Sequence, residues 1–370
     1  MPLTPHAFEA LTPEVVLDAL EAAGVRCDGR LMTLSSYENR VYLAHVEEHS
    51  GDAIDNQLGD AVVAKFYRPE RWSDAQILEE HAFAAELASA EIPLAAPIAL
   101  YGQTLHHAHG FRYSISPRKG GRRPELDELD TLEWIGRFLA RIHTVGAAKP
   151  FAERPALNVH TFGTEPHDWL MQHQMVAPEV GGAWEEAYQE AISLVAACGH
   201  SALAGTAFNA NSDVSSRANT NADSLADADT IQHIRLHGDC HPGNILWTPE
   251  GSTAQAAGPH FVDLDDARMG PAVQDLWMLL SGDRRQRTQQ LSAVLDGYEQ
   301  FRPFDRRELA LIEPLRTLRL IHYSAWLARR WNDPAFPIAF PHFGTSAYWH
   351  EQVQLLQEQI EAMQEEPLVA

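Results

Sequence analysis

The sequence predicts an α+β fold in two parts: a small antiparallel sheet with one helix, then a larger, mostly helical part. Three observations carry this expectation. Short strand-type runs punctuated by glycine and proline fill the stretch from Leu34 to Ser116 around one helix. From residue 127 onward, apolar residues recur at helical spacing. Within that second part, the polar loop Leu236-His237-Gly238-Asp239-Cys240-His241-Pro242-Gly243-Asn244 runs into the apolar Ile245-Leu246-Trp247.

The elements follow in order. Thr12-Pro13-Glu14 supplies an N-cap with proline at the first helical position, so residues 8–24 read as a helix that Gly24 can end. Leu34 to Tyr42 reads as strand, polar turn and strand, and residues 47–60 as a solvated loop. Ala61 to Tyr67 is a strand by composition and length, with Lys65 near its end. A lone strand lysine is ordinarily an exposed edge residue. Ser73 caps a helix from Asp74 to about Ala90, with Ile77, Phe83 and Leu87 inward. Glu79, Glu80 and Glu86 lie on it, and Glu80 borders the apolar stripe. Pro93 and Pro97 precede the strand Ile98–Tyr101, Gly102 turns the chain, and Phe111–Ser116 runs back. Leu132, Ile135, Leu139 and Ile142 mark a buried helix over 127–145, ending at His143. Residues 165–198 are again helical. Ala204 to Ala228 is built mainly of small and polar residues that cannot bury enough apolar surface to order themselves, so a flexible insertion is expected at 203–230. The last hundred residues read as outer helices.

The bulk numbers narrow the function classes. The chain has 370 residues, enough for two parts with cores of their own. No run of about twenty apolar residues occurs, which excludes an ordinary membrane-spanning helix. No basic region precedes an apolar run at the N-terminus, so no secretory signal is expected. Cys27, Cys198 and Cys240 are an odd, scattered set without disulfide or zinc spacing, which fits a reducing cytoplasm. The net charge of −23 argues against binding nucleic acid or anionic membrane. It keeps the protein soluble and would favour a basic partner if any. Arginines outnumber lysines 25 to three, which makes Lys65 more noticeable. Nothing reads as a coiled coil, so a monomer is expected.

The chemistry is concentrated in the loop at 236–247 and in His260-Phe261-Val262-Asp263-Leu264-Asp265-Asp266. Ile245–Trp247 and Phe261-Val262 read as the two strands of a hairpin with Gly251 and Gly258 between them. The hairpin brings Asp239, Asn244 and Asp263 to one spot. A carboxylate such as Asp239 can take a proton from a hydroxyl. An amide oxygen and a carboxylate, Asn244 and Asp263, are the hard ligands Mg²⁺ prefers, with phosphate oxygens completing its shell. An oriented nucleophile and metal-neutralised charge are what phosphoryl transfer requires. His237, Cys240 and His241 lack the spacing of a tetrahedral zinc site; the two histidines read as loop braces. Asp265 assists either the metal or the loop. Asp275 is expected to anchor the catalytic loop from below.

The pattern His-Gly-Asp-x-His-x-x-Asn followed by Val-Asp resembles the catalytic and metal loops of the aminoglycoside phosphotransferase and choline kinase-like superfamily. The stretches Ser36–Tyr42, Lys65–Trp72 and Val262–Trp277 are similar to the stress response kinase A family, and this likeness covers nearly the whole chain apart from the insertion. The resemblance implies a bilobal protein-kinase-like fold, with an N-lobe at 1–116, a hinge at 117–122 against which adenine lies, and a C-lobe at 123–370. It implies a cytoplasmic, ATP- and Mg²⁺-dependent Ser/Thr protein kinase of a bacterial stress response. Ser36 becomes an ATP contact, and Lys65 a phosphate ligand held by Glu80, with Glu79 as runner-up. No long activation segment follows Asp263, so activity is expected not to need phosphorylation there. Two other functions stay open: a kinase of small hydroxyl compounds, and a nucleotide-binding regulator that has lost transfer. An acidic acceptor pocket would suit a basic peptide or an amine alike.

Overall fold

The computed structural model describes residues 7–47, 58–204, 230–249, 251 and 256–370. Most of the loop expected at 47–60 and of the insertion expected at 203–230 lies outside these residues. The class is α+β as expected, and the chain divides into two compact units.

The first unit comprises Met1–Glu125, His241–Asp266 and Asn332–Ile338. It is built on a five-stranded antiparallel sheet in the order β1-β2-β3-β5-β4. The strands are β1 (Cys27–Leu34), β2 (Arg40–Val46), β3 (Ala61–Phe66), β4 (His106–Ala108) and β5 (Phe111–Pro117). Helix α1 (Pro13–Ala22) starts where the sequence says it should, with Thr12 accepting from the Val15 N–H and Pro13 at the first position. Val16, Ala19 and Leu20 on α1 share one core with Val62, Phe66, Tyr113 and Ile115 of the sheet. The Tyr113 hydroxyl donates to the Ala19 carbonyl at 2.5 Å and pins the helix there. Helix α2 (Asp74–Ser89) opens on a reciprocal capping box of Ser73 and Gln76. Its Ile77, Glu80, Phe83 and Leu87 are buried.

The strand expected at Ile98–Tyr101 is reduced to a single bridge, Leu100 to Gln103. Pro97 precedes it, and Tyr101 (φ 50°) and Gly102 (φ 79°) turn the chain too soon for a ladder to form. The hairpin falls later, between β4 and β5, where His109 (φ 52°) and Gly110 (φ 81°) make the left-handed two-residue turn that matches strand twist. A second hairpin pairs β7 (Ile245–Thr248) with β8 (Gly258–Phe261).

The second unit comprises Leu126–Cys240, Ala267–Trp331 and Ala339–Ala370. Its helices are α3 (Leu129–Gly146), α4 (Glu165–Gln172), α5 (Gly181–Leu203), α6 (Val273–Trp277), α7 (Arg284–Tyr298), α8 (Ile312–Arg329) and α10 (Ser346–Gln364). Helix α9 (Ala335–Ala339) lies at the junction of the two units in sequence. The helical run expected at 165–198 is broken, with Gln174 at φ 53° and Pro178 between α4 and α5. Helices α3 and α7 meet through glycine: a Cβ on Gly136 would strike the Val294 carbonyl, and one on Gly297 the Glu133 carbonyl. Strands β6 (Ile234–Leu236) and β9 (Arg268–Gly270) pair antiparallel on either side of residues 237–267 in sequence. Among the described residues, no helix is long and apolar enough to cross a membrane.

This division differs from the lobe boundaries expected at 1–116, 117–122 and 123–370. The hairpin at His241–Asp266 and the turn at Asn332–Ile338 group with the sheet. Arg122 exchanges both backbone hydrogen bonds with Trp247, at 3.0 and 2.6 Å, which ties the hinge stretch to β7. The turn, read from sequence among the outer helices, joins the first unit through charge. Asp333 accepts from Arg40 at 2.7 Å and from Arg68 at 2.8 Å.

Candidate active site

In the first unit, β1, β2, β3 and the β7–β8 hairpin line a slot of about 310 Å³. Val41, Val63, Leu94, Leu246 and Phe261 give it apolar walls. Lys65, Glu80, Asn244 and Asp263 give it a polar end, with Ser36 on its rim and Pro117 and Lys119 along one edge. An apolar slot with converging polar groups at one end suits a ring system carrying an anionic tail.

Local structure explains why these polar groups meet. Lys65 lies in an inner strand, paired with Val41 on one side and Ser114 on the other, not on an edge. The register Ile245 to Phe261 sets Asn244 opposite Val262, and the Asn244 carbonyl accepts from the Val262 N–H at 3.0 Å. Asp263 follows directly, at φ 61°. That left-handed conformation is uncommon outside glycine, least costly for Asp and Asn, and tends to mark functional turns.

The Lys65 Nζ lies 2.8 Å from Asp263 Oδ1 and 3.2 Å from Asp265 Oδ1. Burial works against its charge, but Asp263, Asp265 and Glu80 hold its pKa well above the usual lysine value. Glu80, buried on α2, thus acts on Lys65 from inside the slot. Asp265 is also bridged by Arg71, which reaches Asp266 at 2.8 Å and Glu38 at 3.5 Å. Burial opposes the Arg71 charge as well, and Asp266, Asp265 and Glu38 overcome it. Arg71 therefore ties the loop after Ser36 to the loop after Asp263. Sequence reasoning gave Arg71, Arg68 and Asp333 no role. Arg71 and Arg68 lie in the stretch that carries the family likeness, which was the one available signal.

Asn244 and Asp263 fit a divalent cation whose remaining ligands come from phosphate. They are oxygen donors side by side at the mouth of an apolar slot, next to a lysine. Among the described residues, no group of three His, Cys, Asp or Glu side chains could hold a metal by itself. Asn244 ends a single turn, Pro242–Asn244, opened by His241, whose Nδ1 accepts from the Gly243 N–H at 2.9 Å.

The loop residues from His237 to Cys240 belong to the second unit. Asp275 on α6 accepts the His237 N–H and the Gly238 N–H, each at 2.8 Å. It also lies 3.1 Å from His143 Nε2 at the end of α3. Both side chains are wholly buried. Despite burial, these partners pull the Asp275 pKa below the usual carboxylate range. Gly238 sits at φ 85°, a conformation that favours glycine. Asp239 follows on this held backbone. Its Oδ1 lies 2.8 Å from Arg319 on α8, a residue that no sequence signal marked. Of the expected site residues, Ser36, Lys65, Glu80, Asn244 and Asp263 thus gather in one slot. Asp239 stands in the other unit, joined to Asn244 through Cys240–Gly243.

Comparison with known proteins agrees on family and fold. Residues 31–312 match the phosphotransferase enzyme family. The chain is 41% identical over 361 residues to stress response kinase A of Escherichia coli strain K12, covering 98% of this chain and 96% of that protein. The same figures hold for the serine/threonine protein kinase RdoA of Salmonella typhimurium. Among solved structures, an amicoumacin kinase in complex with AMP-PNP, Ca²⁺ and Ami superposes with a TM-score of 0.64 at 17% identity, over 96% of this chain and 94% of that one. A microcompartment-associated aminopropanol kinase gives 0.61 at 15%, over 94% and 98%.

Proposed function

The chain belongs to the phosphotransferase enzyme family, with the stress response kinase A proteins among its relatives, and from that premise we propose that it moves the γ-phosphoryl group of ATP to a protein Ser or Thr hydroxyl. Asp239 orients the acceptor hydroxyl and takes its proton, the freed oxygen forms the new P–O bond, and the bond to ADP breaks. The apolar slot holds adenine against the 117–122 hinge. Lys65, steadied by Glu80, binds phosphate oxygens, and Ser36 contacts them from the rim. Asn244 and Asp263 would hold Mg²⁺, which would supply charge neutralisation on the phosphates. Asp265 keeps Lys65 and Arg71 in place beside the metal loop.

The observation that carries the reading is the slot's polar end: an inner-strand lysine within 3.2 Å of both Asp263 and Asp265. The protein acceptor and the stress response rest on the names of the relatives; a cytoplasmic monomer is carried over from the sequence. A small-molecule acceptor is the second reading, favoured by the shared fold of the amicoumacin and aminopropanol kinases.

The test is transfer of labelled γ-phosphate with Mg²⁺, comparing wild type with Asp239→Asn. Acceptors are acidic and basic proteins, the enzyme itself and a panel of small hydroxyl compounds. Label on protein Ser or Thr, falling about 10²–10⁴-fold in Asp239→Asn while ATP binding persists, is the expected result. Label on small compounds alone replaces the protein acceptor with the second reading. ATP binding without transfer to any acceptor makes the protein a regulator.

A further inference from the structure

Helix α8 reaches the candidate base through Arg319, on a face of arginines and aromatic rings. Its inner face is core: Leu315, Leu318, Ile321 and Ala325 are buried. Arg316, Arg319, Tyr323 and Trp326 follow at spacings of three and four, so they share one outer face. Arg319 touches Asp239, and its side chain is 34% exposed. Tyr323 and Trp326 stack with centroids 5.6 Å apart at 15°, and Phe340 stands at 84° to both. Arg330 lies over the Trp326 ring at 5.2 Å.

A second arm joins this face to the catalytic loop. Arg316 lies over the Trp277 ring at 5.9 Å. The Trp277 Nε1 donates to Gln274 Oε1 at 3.0 Å, and Gln274 Nε2 donates to the Gly238 carbonyl at 3.2 Å. Two arginines one turn apart are thus tied to the loop, Arg316 through Trp277 and Gln274 to Gly238 and Arg319 to the Asp239 carboxylate itself.

The charge on this face runs against that of the whole chain. The net charge is −23, yet Arg316, Arg319 and Arg330 line up here. Glu313 is shared between Arg316 at 3.7 Å and Arg287 at 3.0 Å, and Asp239 offsets Arg319, so the three arginines exceed the carboxylates they meet here. From Arg319 to Arg330 the face extends about 16 Å at 1.5 Å per residue. That length matches about five residues of extended chain. A guanidinium carries five N–H donors suited to carboxylates, and aromatic rings give contact area at little entropic cost.

We propose that the Arg316–Arg319–Tyr323–Trp326 face of α8 is the acceptor-docking surface, and that its occupant is a peptide segment with acidic residues flanking the phosphorylated hydroxyl. The inference rests on Asp239 being the base of transfer to a protein hydroxyl. It reverses the basic partner that overall charge would favour.

Synthetic peptides with one Ser or Thr core and acidic, neutral or basic flanks test it through kcat/KM at fixed Mg²⁺–ATP. Acidic flanks should be favoured over basic ones by roughly tenfold, with the advantage shrinking as salt rises. Arg316→Glu with Arg330→Glu should abolish or reverse the preference, mainly through the peptide KM, with Mg²⁺–ATP binding retained. Arg316→Ala with Arg330→Ala is the milder pair should charge reversal impair folding, and thermal melts identify folded variants. Labelled peptides with basic flanks preferred, or the acidic preference intact in folded variants, overturn the docking surface and leave the protein-acceptor reading standing. No label in any peptide, with label on small hydroxyl compounds, overturns both.

Discussion

Asp275 holds a loop by backbone hydrogen bonds and Asp263 pairs with a lysine, in opposite surroundings. Asp275 is wholly buried and takes two backbone N–H groups and the His143 ring, all from the second unit. Asp263 is 46% exposed, sits on a left-handed backbone and has Lys65 at 2.8 Å. The first is an anchor whose partners are part of the fold. The second meets a flexible ammonium at the mouth of a slot, so water, a metal or phosphate can exchange into its place. A carboxylate meant to bind a cation has to be affordable to unpair, and one meant to aim a catalytic loop must not be.

Substitutions at three positions probe that contrast. The largest effect is expected at the anchor. Asp275→Ala leaves a buried imidazole and two backbone N–H groups without their acceptor, and urea unfolding should show a loss of about 3–5 kcal/mol. Because the folded-state pKa of Asp275 is lowered, its contribution is full above the unfolded value near 3.9 and disappears as pH falls through the lower folded value. Asp275→Asn should therefore show a shallower loss of stability than wild type below about pH 4. A loss under 1 kcal/mol in Asp275→Ala would remove the distinction between the two aspartates.

At the exchangeable site, Asp263→Ala should change stability by no more than about 1 kcal/mol. Mg²⁺-dependent nucleotide binding, followed by calorimetry, should weaken tenfold or more. A stability loss as large as that of Asp275→Ala would make Asp263 a second anchor.

A pH-dependent effect sharpens the anchor side. Glu308 is buried and accepts from the Val273 N–H at 2.7 Å, at the start of the helix that carries Asp275. Burial pushes its pKa up to about 7. A carboxyl raised in the folded state stabilises below its unfolded value near 4.3 and loses that contribution as pH rises to about 7. Glu308→Gln should therefore match wild type near pH 4 and exceed it by about 1–3 kcal/mol at pH 8. Identical pH profiles for the two proteins would mean that Glu308 titrates as an ordinary carboxyl.

The legible part of the site was the part written contiguously. Asp239, Asn244 and Asp263 lie in two short runs whose flanking residues read as a hairpin. The Thr12 and Ser73 caps depend only on neighbours three residues away. What stayed hidden depends on distant partners. Arg40 meets Asp333 across 293 residues, and Arg319 meets Asp239 from a helix whose spacing signals only its buried face. Arginine is abundant in this chain, so one more at either position carried no signal. The strand expected at Ile98–Tyr101 failed for a local reason, since Tyr101 takes a left-handed turn that its side chain does not announce.

The pairing of Asp333 with Arg40 and Arg68 has a consequence for synthesis on the ribosome. The first unit is assembled from three separated pieces of chain, and its last ends at Ile338. A nascent chain of 125 residues has the whole five-stranded sheet but neither the β7–β8 hairpin nor the acidic turn that two of its arginines await. Completing that unit means closing loops of many tens of residues, whose entropic cost grows only slowly with length but whose search is slow. The first unit is therefore finished after nearly the whole protein has been made, and a fragment cut at the end of the sheet is not a miniature of it.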